Sequence, residues 1–277
     1  MFWRTIKCMK NMDIFFFESD ALRDIAVSYK QAYVTAEPFP HVVIDNFLPD
    51  VVTEALRLSF PSPEAISWKD KTHEHSKKLA SNKEADMPSA IRQFLLQCNS
   101  STFISFLEEL SGIASLIPDP HYEGGGMHQI KSGGYLDVHA DFNYHHMYHL
   151  DRRLNMLLYL NKDWKEEYGG HLELWDRSMK TCVKKVLPIF NRCVIFTTSD
   201  FSYHGHPVPL TAPPGETRKS LALYYYTNGR PEGETGGISH KTLYQSPKTH
   251  RNVLLRHVKQ LLPPIITEII RRVRKKL

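Results

Sequence analysis

The residues His139-Ala140-Asp141 place an imidazole and a carboxylate two positions apart in the middle of the chain. The preceding residues, Tyr135 to Val138, have the composition of a short β-strand entered through a glycine pair. Side chains two apart on a strand project to the same face, so His139 and Asp141 can converge on one point. A metal held by two histidines and one carboxylate, with other coordination positions open, would need one further histidine.

The third ligand is expected from a later strand. His204-Gly205-His206 follows the apolar run Cys193–Thr197, so both histidines arrive at the edge of the core. They are two residues apart, and strand periodicity therefore does not choose between them. Farther on, Arg218 opens the strand Leu221–Tyr226, where a guanidinium can hold a carboxylate through two parallel hydrogen bonds.

Helical patterns come first in the chain and strand patterns follow. Helices are predicted over 21–33, 51–59 (with Asp50 as N-cap), 88–98 and 101–110, and a strand over 41–45. The polar segment 61–84 is predicted as a loop that acts as a lid or contacts substrate. After Pro118, strands are predicted over 127–131, 135–138, 154–160, 171–175, 186–189, 193–197 and 220–226. This order indicates an α+β protein with a sandwich or jelly-roll core.

Bulk properties narrow the classes of function. The chain has 277 residues, of which 42% are apolar and 23% charged, as in an ordinary globular protein. Its net charge of +5 is concentrated after residue 249, where the sequence has eight Lys/Arg residues and one acidic residue. The rest is near neutral, so no nucleic-acid binding is expected from the core. Four widely spaced cysteines without a C-x-x-C motif, and no signal-peptide pattern, predict a reducing compartment and a cytoplasmic protein.

Taken together, these motifs resemble the Fe(II)/2-oxoglutarate-dependent dioxygenases, and more closely their prolyl-4-hydroxylase-like branch. The resemblance covers roughly residues 118–230 and depends on the order H-x-D, H-G and R-x-S. The supporting segments are 118–127, 134–141, 151–164, 169–175, 188–192, 204–205 and 218–220.

The resemblance implies a double-stranded β-helix (jelly-roll, cupin-like) core buttressed by N-terminal helices. Residues 1–117 would form a helical and loop buttress of the same domain, and 118–230 the catalytic core. Residues 231–277 would form a C-terminal extension with a basic amphipathic helix.

The resemblance also implies roles for individual residues. His139, Asp141 and His204 would ligate Fe(II), with His204 favoured over His206 because the family's distal ligand belongs to an H-G pair. Arg218 would bind the C5 carboxylate of 2-oxoglutarate together with the hydroxyl of Tyr159.

Several pocket positions follow with these. Asn155 and Leu157 share the strand face of Tyr159 and would line the cosubstrate pocket. Gln129 would contact the other end of the cosubstrate. The expected substrate contacts are Asn143, His145, His206 and Tyr203, whereas Arg152 and Arg153 are expected to form salt bridges or a structural turn.

The reaction implied is hydroxylation of a C–H bond, in which O2 is consumed and succinate and CO2 are released, with ascorbate as a reductant. The substrate is open: a prolyl residue, a free amino acid or another small molecule. The competing class is a non-catalytic jelly-roll binding module, which should lack one of the four key side chains, and none is missing here. A zinc or manganese sugar epimerase would not need Arg218 and Tyr159 in register.

The C-terminal segment 265–277 carries an apolar helical stripe that ends in Arg and Lys residues. It is expected either to dock on the barrel or at a homodimer interface, or to contact an anionic membrane surface or acidic partner.

Overall fold

The computed structural model describes residues 15–231 and 239–244. Within these residues there are four α-helices, none long and apolar enough to cross a membrane. They are α1 (Ser19–Val34), α2 (Asp50–Ser59), α3 (Ser89–Cys98) and α4 (Ser101–Ser111). The ends of α4 show how the sequence sets a boundary: the Ser100 hydroxyl accepts a hydrogen bond from the Phe103 amide, and Gly112 ends the helix in the left-handed region at φ 73°.

The described strands are numbered in chain order. They are β1 (His41–Asp45), β2 (Lys69–Asp70), β3 (Leu79–Ser81), β4 (Ile117–Pro118), β5 (Gly126–Ile130), β6 (Leu136–Ala140), β7 (Tyr144–His145), β8 (Leu150–Tyr159), β9 (Leu172–Trp175), β10 (Cys182–Val186), β11 (Arg192–Thr197), β12 (His204–His206), β13 (Arg218–Thr227) and β14 (Leu243–Tyr244).

Two antiparallel sheets pack against each other and form a double-stranded β-helix. The larger sheet has the order β1-β11-β8-β13-β5-β3-β2, with β4 beside β13 and β7 beside β8. The smaller sheet has the order β10-β9-β12-β6-β14. An interior cluster contains side chains from both sheets, among them Tyr159, Phe196 and Leu174. The predicted α+β jelly-roll class is confirmed.

Alternation along β8 separates the helical side of the large sheet from the barrel interior. Leu154, Met156 and Leu158 join the core that includes the buried faces of the helices. Asn155, Leu157 and Tyr159 belong to the opposite face. The apolar half of the strand thus fixes which polar residues enter the barrel.

Segments before residue 118 and after residue 230 contribute strands to the barrel. The N-terminal segments β1 and β3 pair with β11 and β5 of the large sheet, and β14 pairs with β6 of the small sheet. The predicted strand His41–Asp45 is therefore an edge of the core sheet as well as part of the helical buttress.

Three local predictions differ from the structure. Segment 61–84 contains the hairpin β2–β3, because the backbone of β3 pairs with β5 although its side chains show no strand pattern. The strand predicted at 186–189 lies earlier, at Cys182–Val186, since Pro188 has no amide to donate to a ladder. Asp50 is the first residue of α2, and the cap is Pro49.

Candidate metal centre

His139, Asp141 and His204 come together where two strands of the small sheet pair. The register of β6 and β12 places His204 directly opposite His139, with ring centroids 4.5 Å apart. Asp141 follows β6, and its carboxylate oxygens lie 3.4 Å from Nε2 of each histidine. One ligand atom from each of the three residues lies within 4.8 Å of the other two. A cation between them would meet all three donors.

The hydrogen bonds of the two rings suit metal binding. Nδ1 of His139 lies 2.8 Å from the Asp137 carbonyl, and Nδ1 of His204 lies 2.9 Å from the Ser202 carbonyl. A carbonyl can only accept, so both Nδ1 atoms carry the proton and both Nε2 atoms present a lone pair toward Asp141. The donor set therefore fits a divalent transition metal of the two-histidine, one-carboxylate type.

The charge states of His204 and Asp141 agree with this arrangement. Burial lowers the pKa of His204 to about 4, although Asp141 opposes the shift, so the ring is neutral near pH 7. Burial acts to raise the pKa of Asp141, but Arg152 and the two histidines outweigh it and hold the pKa well below its usual range. Neutral imidazoles and an ionised carboxylate are the forms that ligate a metal.

Two residues of β8 donate hydrogen bonds to the same oxygen of the Asp141 carboxylate. Asn155 donates to Oδ2 of Asp141 at 2.7 Å, and a guanidinium nitrogen of Arg152 donates to the same oxygen at 3.0 Å. Arg152 also donates twice to the Asn155 carbonyl oxygen, at 2.9 and 2.7 Å. Its guanidinium is fully buried between the rings of Phe142 and Tyr224. The pair fixes the orientation of the carboxylate.

A close backbone approach explains the glycine of the H-G pair. A Cβ on Gly205 would lie 2.8 Å from the Asp137 carbonyl oxygen and 2.9 Å from that of Leu136. Any side chain there would push β12 away from β6 and move His204 with it. Glycine at this position is thus a condition for bringing the two histidines together.

A small inner cavity of about 70 Å³ connects the triad with Arg218. Arg218 is buried at the start of β13, donates from Nε to the Gly170 carbonyl at 2.8 Å, and donates to the Tyr159 hydroxyl at 3.2 Å. Asn155 and Leu157 line the same cavity. The structure thus gathers the predicted cosubstrate residues Arg218, Asn155 and Leu157 around one cavity, with Tyr159 behind Arg218.

The predicted placement of Gln129 is wrong. Its amide donates to the Pro61 carbonyl at 3.1 Å and accepts from the Thr217 hydroxyl at 2.7 Å. Its strand neighbours His128 and Ile130 line the inner cavity instead. The strand was located correctly, but Gln129 occupies the other face of β5.

Of the four predicted substrate contacts, His206 lines the inner cavity. Asn143 instead donates to the Asp200 carboxylate and accepts from the backbone amide of His240. Its side-chain amide therefore joins the segments that carry Asp200 and His240. His145 is buried beside Tyr226. Tyr203 packs with Val138 and Ala140, away from the face of His139. These three placements correct the prediction, since none of the three residues lines either cavity at the triad.

Sequence reasoning missed three lysines at the site. Lys69, Lys71 and Lys78 line a larger outer pocket, of about 230 Å³, that also contains His139 and Asp141. The alternation Lys69-x-Lys71 was visible in the sequence, but the segment was predicted to be a loop.

The chain is similar to known proteins both in sequence and in fold. Residues 125–226 match the family model of the 2OG-Fe(II) oxygenase superfamily. Mouse prolyl 3-hydroxylase OGFOD1 is 28% identical over 188 residues, which are 64% of this chain and 31% of that protein. The chain therefore matches about a third of the length of this curated relative. A Pseudomonas putida prolyl-4-hydroxylase structure superposes with a TM-score of 0.51 at 16% identity, over 73% of this chain and 99% of the other.

Proposed function

We propose that this chain, whose residues 125–226 match the family model of the 2OG-Fe(II) oxygenase superfamily, is an Fe(II)- and 2-oxoglutarate-dependent dioxygenase that hydroxylates a C–H bond. The observation that carries the proposal is the convergence of His139, Asp141 and His204 in the lining of a cavity that Arg218 also lines.

The residues have distinct roles in this proposal. His139, Asp141 and His204 hold the iron, and Arg152 with Asn155 orients the carboxylate. Arg218 pairs with the distal carboxylate of 2-oxoglutarate, and Tyr159 positions the guanidinium through its hydroxyl. With O2, the bound iron and cosubstrate supply the oxidising chemistry, in which one oxygen atom enters succinate as CO2 is lost and the other enters the substrate C–H bond.

Proline residues in peptides are the first substrate class to test. The similar mouse protein is named a prolyl 3-hydroxylase and the similar bacterial structure a prolyl-4-hydroxylase. Free amino acids and other small molecules are the next classes.

We also propose a role for each part of the chain and a cellular compartment for the protein. Residues 118–230 act as the catalytic core, residues 1–117 as its buttress and residues 231–277 as an extension. The free thiols of Cys98, Cys182 and Cys193 support a reducing compartment such as the cytoplasm. The basic helix predicted at 265–277, with its homodimer or anionic-partner contact, lies outside the described residues.

Turnover of 2-oxoglutarate tests the proposal directly. Purified protein with Fe(II), ascorbate and 2-oxoglutarate is expected to form succinate in air, faster with a true substrate, whose product gains one oxygen atom by mass spectrometry. His139→Ala should abolish succinate formation, whereas His146→Ala, at an exposed histidine of the neighbouring loop, should not. If succinate formation does not depend on Fe(II), or if no succinate forms, the result would favour the non-catalytic binding module.

A further inference from the structure

The outer pocket lies between the β2–β3 hairpin and the two strands β6 and β14. Its lining includes Lys69, Lys71, Lys78, His139, Asp141 and Tyr244. Because the triad residues His139 and Asp141 line it, a substrate in this pocket would present its C–H bond to the metal centre.

One face of the hairpin carries all three lysines. Lys69 pairs with Ala80 across the hairpin, and the Lys71 amide donates to the Lys78 carbonyl at 2.9 Å. Paired residues share a face and positions two apart repeat it, so Lys69, Lys71 and Lys78 project together over the pocket.

Backbone hydrogen bonds hold this hairpin at both ends. At its base, β3 pairs with β5 of the large sheet. At its tip, Lys77 donates to the Tyr135 carbonyl at 2.8 Å and Asp137 donates to the His75 carbonyl at 2.9 Å. The hairpin therefore bridges the two sheets across the pocket, and the backbone that carries the lysines is fixed relative to the triad.

Acidic partners for these lysines are missing from the described part of the chain. None of the three has a carboxylate oxygen within 4.0 Å there, and the Lys69 ammonium donates instead to the neutral Asn82 side chain at 2.7 Å. The pocket's two carboxylates are Asp141, which Arg152 already neutralises, and Glu123. If iron and 2-oxoglutarate cancel each other's charge, Glu123 is the one carboxylate that remains against the three lysines in the described lining of this pocket.

We propose that the substrate carries a carboxylate or phosphate group that binds the lysine face formed by Lys69, Lys71 and Lys78, while its reacting C–H bond faces the metal centre. The inference rests on the proposed function for the reaction and adds the chemical class of the substrate. Charged groups fixed at a pocket mouth discriminate between ligands and accelerate their association.

Binding of three matched peptides tests the charge requirement without turnover. Each peptide has one proline, flanked by glutamates, by glutamines or by phosphoserines, and is too large for the inner cavity at Arg218. The glutamate or phosphoserine peptide should bind about ten-fold tighter than the glutamine peptide at low salt, and the advantage should shrink as salt is added. The stronger of the two anionic peptides identifies the group.

Matched variants locate the effect. The triple variant Lys69→Gln/Lys71→Gln/Lys78→Gln should lose most of the advantage of the anionic peptides. The control Lys165→Gln/Lys180→Gln/Lys184→Gln removes the same charge from exposed positions elsewhere and should keep it. Equal binding of the three peptides, or an unchanged preference in the first variant, would overturn the inference. Succinate formation without added substrate reports separately on the proposed function.

Discussion

The amide of Asn155 donates a hydrogen bond at 2.7 Å to Oδ2 of Asp141, the carboxylate whose oxygens lie 3.4 Å from Nε2 of His139 and of His204. Strand β8 of the large sheet thereby orients a ligand carried by the small sheet. Replacement of Asn155 by Leu should weaken Mn(II) binding by about 10- to 100-fold, because a ligand without its outer hydrogen bond loses its fixed orientation. Calorimetric titration measures this, with Leu157→Met as a control that lines the same cavity. Unchanged affinity in Asn155→Leu would contradict the role.

Arg152 should matter for folding as well as for the site. Its guanidinium is fully buried and pairs with Asp141 at 3.0 Å. Arg152→Met leaves that carboxylate without its charged partner, so the free energy of unfolding should fall by about 3–5 kcal/mol. Urea unfolding of the metal-free protein measures the loss. As a comparison, Arg192→Met breaks the more exposed pair with Asp45 and should cost only about 0.2–1 kcal/mol. Equal losses in the two variants would contradict the distinction.

The hydroxyl of Tyr159 should affect the cosubstrate without affecting the metal. It accepts a hydrogen bond from Arg218 at 3.2 Å. Its loss in Tyr159→Phe keeps the ring beside the guanidinium but leaves the Gly170 carbonyl as the only hydrogen-bond acceptor of Arg218 among the described residues. We expect the KM for 2-oxoglutarate to rise about ten-fold, as for a lost hydrogen bond to a charged group, with unchanged Mn(II) affinity. Arg218→Met should raise the KM further. A Tyr159→Phe enzyme with wild-type KM would show that the hydroxyl has no such role.

Binding of anions to the outer pocket should weaken as the pH rises through about 8. Burial lowers the pKa of Lys78 to about 8; Asp141 opposes this shift, while Lys71, Arg218 and Arg152 add to it. The ammonium is present below that pH and lost above it, so attraction for an anionic peptide falls on the alkaline side. Peptide binding between pH 6.5 and 9.5 measures the effect, and Lys78→Met should flatten the profile. A flat wild-type profile would contradict it.

Local motifs explain why much of the site could be predicted. His139-Ala-Asp141, His204-Gly and Arg218 each lie on or beside a strand with its own apolar pattern. The resemblance to the dioxygenases joined them into one site and favoured His204 over His206. Alternation along β8 likewise predicted that Asn155, Leu157 and Tyr159 share a face.

Features set by pairing between distant segments could not be predicted in this way. The face of Gln129 depends on the register of β5 against β13, and a shift of one residue exchanges inside and outside. The lysine face exists because β3 pairs with β5, although β2 and β3 are only two and three residues long. The partner of Arg152 is determined by the packing of the two sheets, which no local pattern records.

We propose that His139, Asp141 and His204 form an iron site that accepts 2-oxoglutarate beside Arg218. Anaerobic addition of Fe(II) and then 2-oxoglutarate to the 277-residue chain tests this site. We expect a weak visible charge-transfer band that is lost in His139→Ala and His204→Ala but retained in His206→Ala. No band in the wild-type protein, or a band that persists in His204→Ala and disappears in His206→Ala, would contradict it.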